Sequence, residues 1–475
     1  MPLWAKSKSL SEESLEDAAS HDTTYSFIVI APHSSRLIPS MGRMTGFAVA
    51  SLVLAACSNN EVILPGERID ISAYDEQILA VNESAASEGI AIGDDAVNLS
   101  FDAPGQNAGH SGGHFSVDLP LQQAFSTRVG IAAEEGTEIA QPVADEKAVY
   151  TVTPGGVVTA VSATDGAVLW RVDIDPSTDE TQTSVSGGIA LSSGHVIAHA
   201  SKKTLVSLNA ETGAENWRQD FDVFLSGGPT PIRNIIIVTD LDGRIYALSA
   251  EDGGQLWNRI GAQDSTRIAG ASFPAAFGND IVASGGDGEI QVLNIEQGDF
   301  LWGENLTPVL LRTALDAIPD LRAHPVHDGG LVVVVTPSAQ IFAFNASTGR
   351  QVWQMPLHAP DMPWVSGESL FLTTIDGRLY ALRRNDGAIR WVTELPGAYD
   401  PSLAVNEDAV RYTTPLLVSG KVLIGSSRGY LMSFDASTGV ADQQFSTGQG
   451  ITTAPLVANK TVFAISRSGV LYAYR

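Results

Sequence analysis

The sequence is poor in several things that would announce a chemistry. It holds one cysteine, Cys57, in 475 residues, so no disulfide can form within the chain. Positive charge is scarce: 28 Lys and Arg stand against 54 Asp and Glu, a net charge of −26. A nucleic-acid binder needs a basic footprint and docking on anionic lipid needs one too, so both are disfavoured, and the acidity serves solubility. No nucleophile elbow, P-loop, HExxH or comparable metal spacing is expected. "HPVH" (His324, His327) is a close histidine pair without further ligands beside it. Asp240, Asp242, Asp376 and Asp386 fall in hairpin turns, where turn chemistry accounts for them. No catalytic residue, metal or cofactor is therefore assigned.

The lone cysteine has a telling neighbourhood. "MGRMTGFAVASLVLAACSNN" (41–60) offers Met41, a basic Arg43, an apolar run from Phe47 to Ala56, then Leu-Ala-Ala-Cys. That order is a bacterial secretion signal, and its end matches a lipobox, in which Cys57 is diacylated and becomes the mature N-terminus. The apolar run falls short of the ~20 residues of a spanning helix. Ser58 follows, in place of the Asp that favours retention at the inner membrane, so the periplasmic face of the outer membrane is expected, with the lipid as the only membrane contact. Residues 1–40 are polar and aperiodic, an extension ahead of a start at Met41 or Met44. Residues 57–118 look like a tether: "DAPGQNAGHSGGHFS" (102–116) is rich in Gly, Asn and His without a hydrophobic period. His110 and His114 read there as unstructured histidines.

What the chain does have is repetition. A turn glycine recurs at Gly166, Gly213, Gly253, Gly298, Gly349, Gly387 and Gly439, at intervals of 38 to 52 residues, a period of solenoids and propellers. Eight residues before each lies an aliphatic residue, and six before lies a small one or Val, an alternation proper to strands. Four residues after the glycine comes Trp170, Trp217, Trp257, Trp302, Trp353 or Trp391, six of eight tryptophans in the chain. Gly supplies the positive φ of a bulged hairpin, and the indole, burying ~150–250 Å², fastens one sheet to the next. At the seventh copy Gln443 replaces the Trp, so that blade is expected to be the softest joint. Each unit holds four strands. "SGVLYAYR" (468–475) aligns with "DGRIYALS" (242–249), and the sequence stops before a fourth strand. "LPLQQAFSTRVG" (119–130) is expected to supply it, giving an all-β, eight-bladed propeller of four-stranded antiparallel blades over 119–475.

The phrase with its Trp resembles the quinoprotein-type, PQQ-like propeller repeat. Within that group, the chain from Cys57 resembles the BamB family of outer-membrane assembly lipoproteins. The most specific carrier is "RIAGASFPAAFGNDIVASGGDGEIQVLNIEQGDFLWG" (267–303); "GPTPIRNIIIVTDLDGRIYALSAEDGGQLW" (228–257) is close but generic. The resemblance implies a non-enzymatic scaffold of the BAM complex that grips the POTRA domains of BamA and aids assembly of β-barrel proteins, with other BAM components and nascent outer-membrane proteins as further partners. The matching positions for the partner surface are Arg267, Ile268 and Ala269 before the fourth blade, and Asp320, Leu321 and Arg322 before the fifth. Arg322 stands where the family carries an acidic residue, and Arg267 lies two places before the family's basic position. The insertion "LTPVLLRTALDAIPDLRAHP" (306–325) is apolar for a loop and carries Arg312 and Arg322, a composition that suits an interface. A second insertion, 396–412, is more polar and has no assigned role.

The alternative of another class is a PQQ-dependent quinoprotein dehydrogenase. Such enzymes stack the quinone on a disulfide between adjacent cysteines, and one cysteine cannot make it.

Overall fold

The computed structural model describes residues 78–130, 139–175, 187–200, 203–260, 272–284, 288–307, 321–397, 410–451 and 453–475. Cys57 and the signal-like segment lie outside them. Eight four-stranded antiparallel sheets form the blades of a propeller. Blades 1 to 7 are consecutive in sequence, over 143–173, 188–220, 225–260, 275–305, 326–355, 364–394 and 416–446. Blade 8 joins the two ends of the fold. Its three inner strands span 456–474, and its outer strand is Gln123–Arg128, antiparallel to Val470–Tyr474. The expected N-terminal strand is present, and it removes the open edge that blade 8 would otherwise offer.

The repeated phrase has a physical explanation on each side of a blade joint. Within its own blade each Trp lies opposite the small residue six before the glycine: Ala160 faces Trp170, Ser207 faces Trp217, and Ala247 faces Trp257. A β-bulge follows immediately in each pair, re-aiming the strand end. Across the joint, the indole Nε1 donates to a backbone carbonyl in the next blade's turn: Trp170 to Ala210 at 3.0 Å, Trp217 to Ala250 at 3.1 Å, Trp353 to Arg384 at 2.8 Å. Trp257, Trp302 and Trp391 do the same to Ile295, Ala346 and Ala436. That carbonyl lies three residues before the next turn glycine, whose own face receives the ring. A Cβ on Gly253 (φ 74°) would lie 2.6 Å from Cε3 of Trp217. The glycine thus answers both a left-handed backbone and a ring that leaves no room for a methyl group.

The segment expected to be a free tether is folded from residue 82 onward. Asn82 caps a short helix α1 (Glu83–Ser87), its side chain accepting from Ala85 N at 2.9 Å. Glu88 then pairs with Arg383 of blade 6 at 2.6 Å. From Ala91 to Val117 the chain crosses the hub, exchanging single backbone bonds with successive inner strands. Phe101 pairs with Ala144, Ala108 O accepts from Ala276 N, Gly109 O from His327 N, and Gly113 N donates to Val365 O. Trp364, 1 % exposed, donates its Nε1 to Gly113 O at 2.8 Å and meets Phe115 edge-on. The segment has no hydrophobic period because it belongs to no sheet. It borrows one partner at a time, and Gly112 lets the backbone pass where a Cβ would meet the Trp364 ring.

Candidate functional site

Among the described residues no group of three or more His, Cys, Asp or Glu could hold a metal ion. Against the expectation of none, Gly425–Gly429 does spell Gly-x-Ser-x-Gly. It forms a β-hairpin between Lys421–Ser426 and Tyr430–Asp435, with no helix after it, and Ser427 Oγ accepts from Arg411 N at 3.0 Å. A nucleophile elbow needs a strand-to-helix turn with a base beside the serine, and neither is present there.

His110, His114, His324 and His327 each have a structural partner. His110 is fully buried, its Nδ1 2.8 Å from Pro325 O. His324 accepts from Phe273 N at 3.0 Å and lies 5.5 Å from the His110 ring. Burial lowers the pKa of His110 to about 3, with His324 adding to the effect, and that of His324 to about 4, so both rings stay neutral at ordinary pH. His114 Nδ1 sits 2.9 Å from Gly93 O while its Nε2 accepts from Gly420 N at 2.8 Å. The two histidines of "HSGGH" are therefore ordered and separately engaged. His327, the other member of "HPVH", stacks on Phe277 with centroids 4.2 Å apart.

Of the six residues expected at a partner surface, Arg267, Ile268, Ala269 and Asp320 lie outside the described residues. Leu321 and Arg322 part ways. Leu321 is 3 % exposed and packs with Leu306, Val332 and Phe344 between blades 4 and 5, so its side chain anchors the segment and does not face a partner. Arg322 is exposed. Residues that sequence reasoning passed over lie close by in the ring. The outer strands of blades 3 and 4 expose Leu256, Ile260, Phe300 and Leu301, each about half open to solvent, with the Arg259 guanidinium 5.4 Å from the Phe300 ring. Leu256, Ile260 and Leu301 were legible as apolar residues at odd offsets from the Trp slot, whereas Phe300 lies two residues before Trp302 and beside Arg259 of blade 3.

The comparisons with known proteins converge. The family model described as outer membrane protein assembly factor BamB matches residues 132–393. The chain is 25% identical to the BamB of Yersinia pestis over 358 residues, covering 74% of this chain and 88% of that one. It is 24% identical to the BamB of Escherichia coli, with the same coverage. Among solved structures, BamB from Moraxella catarrhalis superposes with a TM-score of 0.61 at 18% identity, covering 75% of this chain and 99% of that one. A quinohemoprotein alcohol dehydrogenase from Pseudomonas putida also reaches 0.61, at 13% identity and with coverage of 82% and 81%. At such identities these two structures speak for the fold alone.

Proposed function

The chain belongs to the BamB family of outer membrane protein assembly factors, and from that premise we propose that it is a lipid-anchored scaffold gripping the POTRA domains of BamA. Membership places it among assembly factors and not among enzymes. The observation that carries the proposal is the family match itself, which runs from the approach to blade 1 through blade 6. The quinoprotein alternative has only a shared propeller at 13% identity on its side.

In this reading the diacylated Cys57 holds the protein at the periplasmic face of the outer membrane. The grip lies before blades 4 and 5, through Arg267, Ile268, Ala269, Asp320 and Arg322, with Leu321 holding the segment from inside. The exposed apolar residues on the outer strands of blades 3 and 4 extend that surface, since apolar exposure beside an arginine suits a protein interface. Nascent outer-membrane proteins and other BAM components are the further partners. The test reverses charge at Arg267 and Arg322 together, to Glu, and measures co-purification with BamA from detergent-solubilised membranes. Recovery should fall at least fivefold with an unchanged melting temperature. Recovery equal to the parent protein refutes the surface.

A further inference from the structure

We propose that residues 82–93 clamp the chain to blade 6 and take up the pull of the membrane anchor before it reaches the strand that closes the ring. The role rests on reading Cys57 as the anchored end and the segments before blades 4 and 5 as the partner surface. In chain order from Cys57, the described contacts begin at blade 6 and its border with blade 5. Ile78 and Leu79 pack against the apolar cluster shared by those two blades. Asn82 N then donates to Ile389 O at 2.9 Å, and both carboxylate oxygens of Glu88 accept from Arg383 Nη1, at 2.7 and 2.6 Å. Ala91 O accepts from Glu368 N at 2.9 Å and from Ser369 Oγ at 3.0 Å, and Ile92 O accepts from Ser366 Oγ at 2.7 Å. Ser366 and Ser369 are 3 % and 0 % exposed, so these bonds are shielded from competing water. Ala85 is fully buried, and Ile90 and Ile92 pack against the largest apolar cluster. Only after this grip does the chain cross the hub and reach Gln123–Arg128.

The topology puts this clamp in the path of a pull. Ser366, Glu368 and Ser369 lie at the hairpin joining the two inner strands of blade 6, Trp364–Ser366 and Ser369–Thr373, and Arg383 and Ile389 flank the hairpin before its outer strand. In an up-and-down sheet these two hairpins share one end of the strands, and the segments that lead from an outer strand to the next blade lie at the other. Arg322, in the segment before blade 5, is at that other end. A pull between Cys57 and a partner bound there therefore crosses the propeller, and it enters at blade 6. Without the clamp the same pull runs along 94–117, whose bonds to the inner strands come singly, and acts on Gln123–Arg128. That outer strand has one ladder partner, Val470–Tyr474, and its loss would open the ring and expose an edge. The Glu88–Arg383 pair is partly in water, where an ion pair adds little. The buried serine bonds and the apolar contacts of 78–92 hold most of the clamp.

Single-molecule pulling on the full chain at constant force tests this. One DNA handle is joined at Glu304→Cys, exposed near the end of the outer strand of blade 4. The other is joined either to Cys57 or, with Cys57→Ser, to Asp118→Cys, an exposed position past the clamp and ahead of the closing strand. At the same force, the closing strand should separate at least tenfold more slowly when the pull enters at Cys57. From Cys57 the first step should release 82–117, up to roughly 120 Å of chain, before the ring opens. Ser366→Ala combined with Glu88→Ala should shorten the lifetime from Cys57 severalfold, because forced opening follows the unfolding rate of the contacts under load. The same pair of changes should leave the lifetime from Asp118→Cys unchanged, which shows the ring itself to be intact. Equal lifetimes from the two entry points, or ring opening as the first step from Cys57, overturn the clamp, and so does a double variant that shortens both lifetimes alike. None of these lifetimes depends on acylation or on BamA. Retention of Cys57→Ala in the membrane fraction would refute the anchor and leave the lifetimes standing, so the two failures are told apart.

Discussion

Six blade joints are built alike, and the two that flank blade 8 are not. From blade 1 to blade 7 every junction uses an indole from one blade, a carbonyl and a glycine from the next. At the junction of blade 8 with blade 1 the same receiver is present, in the turn at Gly166 (φ 77°), but several side chains share the work of the Trp. Phe125 brings the ring against Gly166, and Thr127 Oγ1 donates to Gly166 O at 2.6 Å. The hydrogen bond comes from Arg475, whose guanidinium donates to Ala163 O at 2.6 Å and Thr164 O at 2.9 Å and lies 6.0 Å from the Phe125 ring. Ala163 is the position that an indole would reach in the other joints. The junction of blade 7 with blade 8 lacks the receiver altogether: blade 8 takes its outer strand from Gln123–Arg128, so no hairpin follows its third strand. A receiver in the next blade thus accompanies every Trp of the repeat, and Gly166, which meets Phe125, shows that the receiver does not by itself dictate an indole.

The sharpest way to break that comparison is to remove an indole from a regular joint. Trp217 is 8 % exposed and donates to Ala250 O, so Trp217→Ala should cost about 3–5 kcal/mol, as large-to-small core changes do. The half-buried Phe125, changed to Ala, should cost less, about 2 kcal/mol, because Arg475 retains its bonds to blade 1. Urea unfolding of the two variants measures the order, and equal losses would deny that the seam divides its fastening among several side chains.

Next comes the receiving glycine. Gly253 and Gly194 have nearly the same backbone, φ 74° and 79°, yet a Cβ on Gly194 meets nothing within 4 Å while one on Gly253 meets Trp217. Gly194→Ala should cost about 1 kcal/mol, from the left-handed backbone alone. Gly253→Ala should cost about 2–4 kcal/mol, since the ring must also be displaced. The difference isolates what the ring demands of the glycine, and it would vanish if the glycines were there for the turn only.

How much of this was legible follows from what repeats. The ring of blades, the bulged hairpin, the small residue across from the Trp and the closing strand all recur or complete a recurrence, so spacing exposed them. The glycine's second duty was hidden, since its contact is with a residue some forty positions earlier, in another blade. The hub-crossing segment was hidden for the opposite reason. Phe101, Ala108 and Gly113 each bond a different inner strand, and partners that change at every step leave no period. Leu321 and Arg322 show the limit of reading a contact surface by position: neighbours in sequence, one enters the core between blades 4 and 5 and the other stays in solvent.

A smaller effect is expected at the seam's donor. Arg475→Ala removes two charge-assisted hydrogen bonds to blade 1 and its bond to Thr461 Oγ1 at 3.0 Å. The side chain is partly in water, so the cost should be about 1–2 kcal/mol. Arg475→Lys should recover little, because one ammonium cannot hold the fork's geometry. Full recovery by Lys would mean that charge alone closes the ring.

The smallest effect is the most discriminating. Gln443 occupies the Trp slot of blade 7, opposite Ser433, and by sequence alone its joint is the expected weak point. The structure supplies other fastenings there: Phe445 lies 5.4 Å from the Tyr474 ring, and Tyr472 Oη donates to Thr447 O at 2.5 Å. Both aromatic residues border the molecule's largest apolar cluster, which includes Phe101, Phe115 and Leu121 of the N-terminal segment. If a missing indole made the joint soft, Gln443→Trp would restore the fastening and gain about 1–2 kcal/mol, as filling an empty but matched site does. With no turn glycine and no carbonyl waiting in blade 8, the new ring has nothing to engage, and the change in urea midpoint should correspond to less than about 0.5 kcal/mol. A clear gain would show that the indole stabilises its own blade without a receiver in the next.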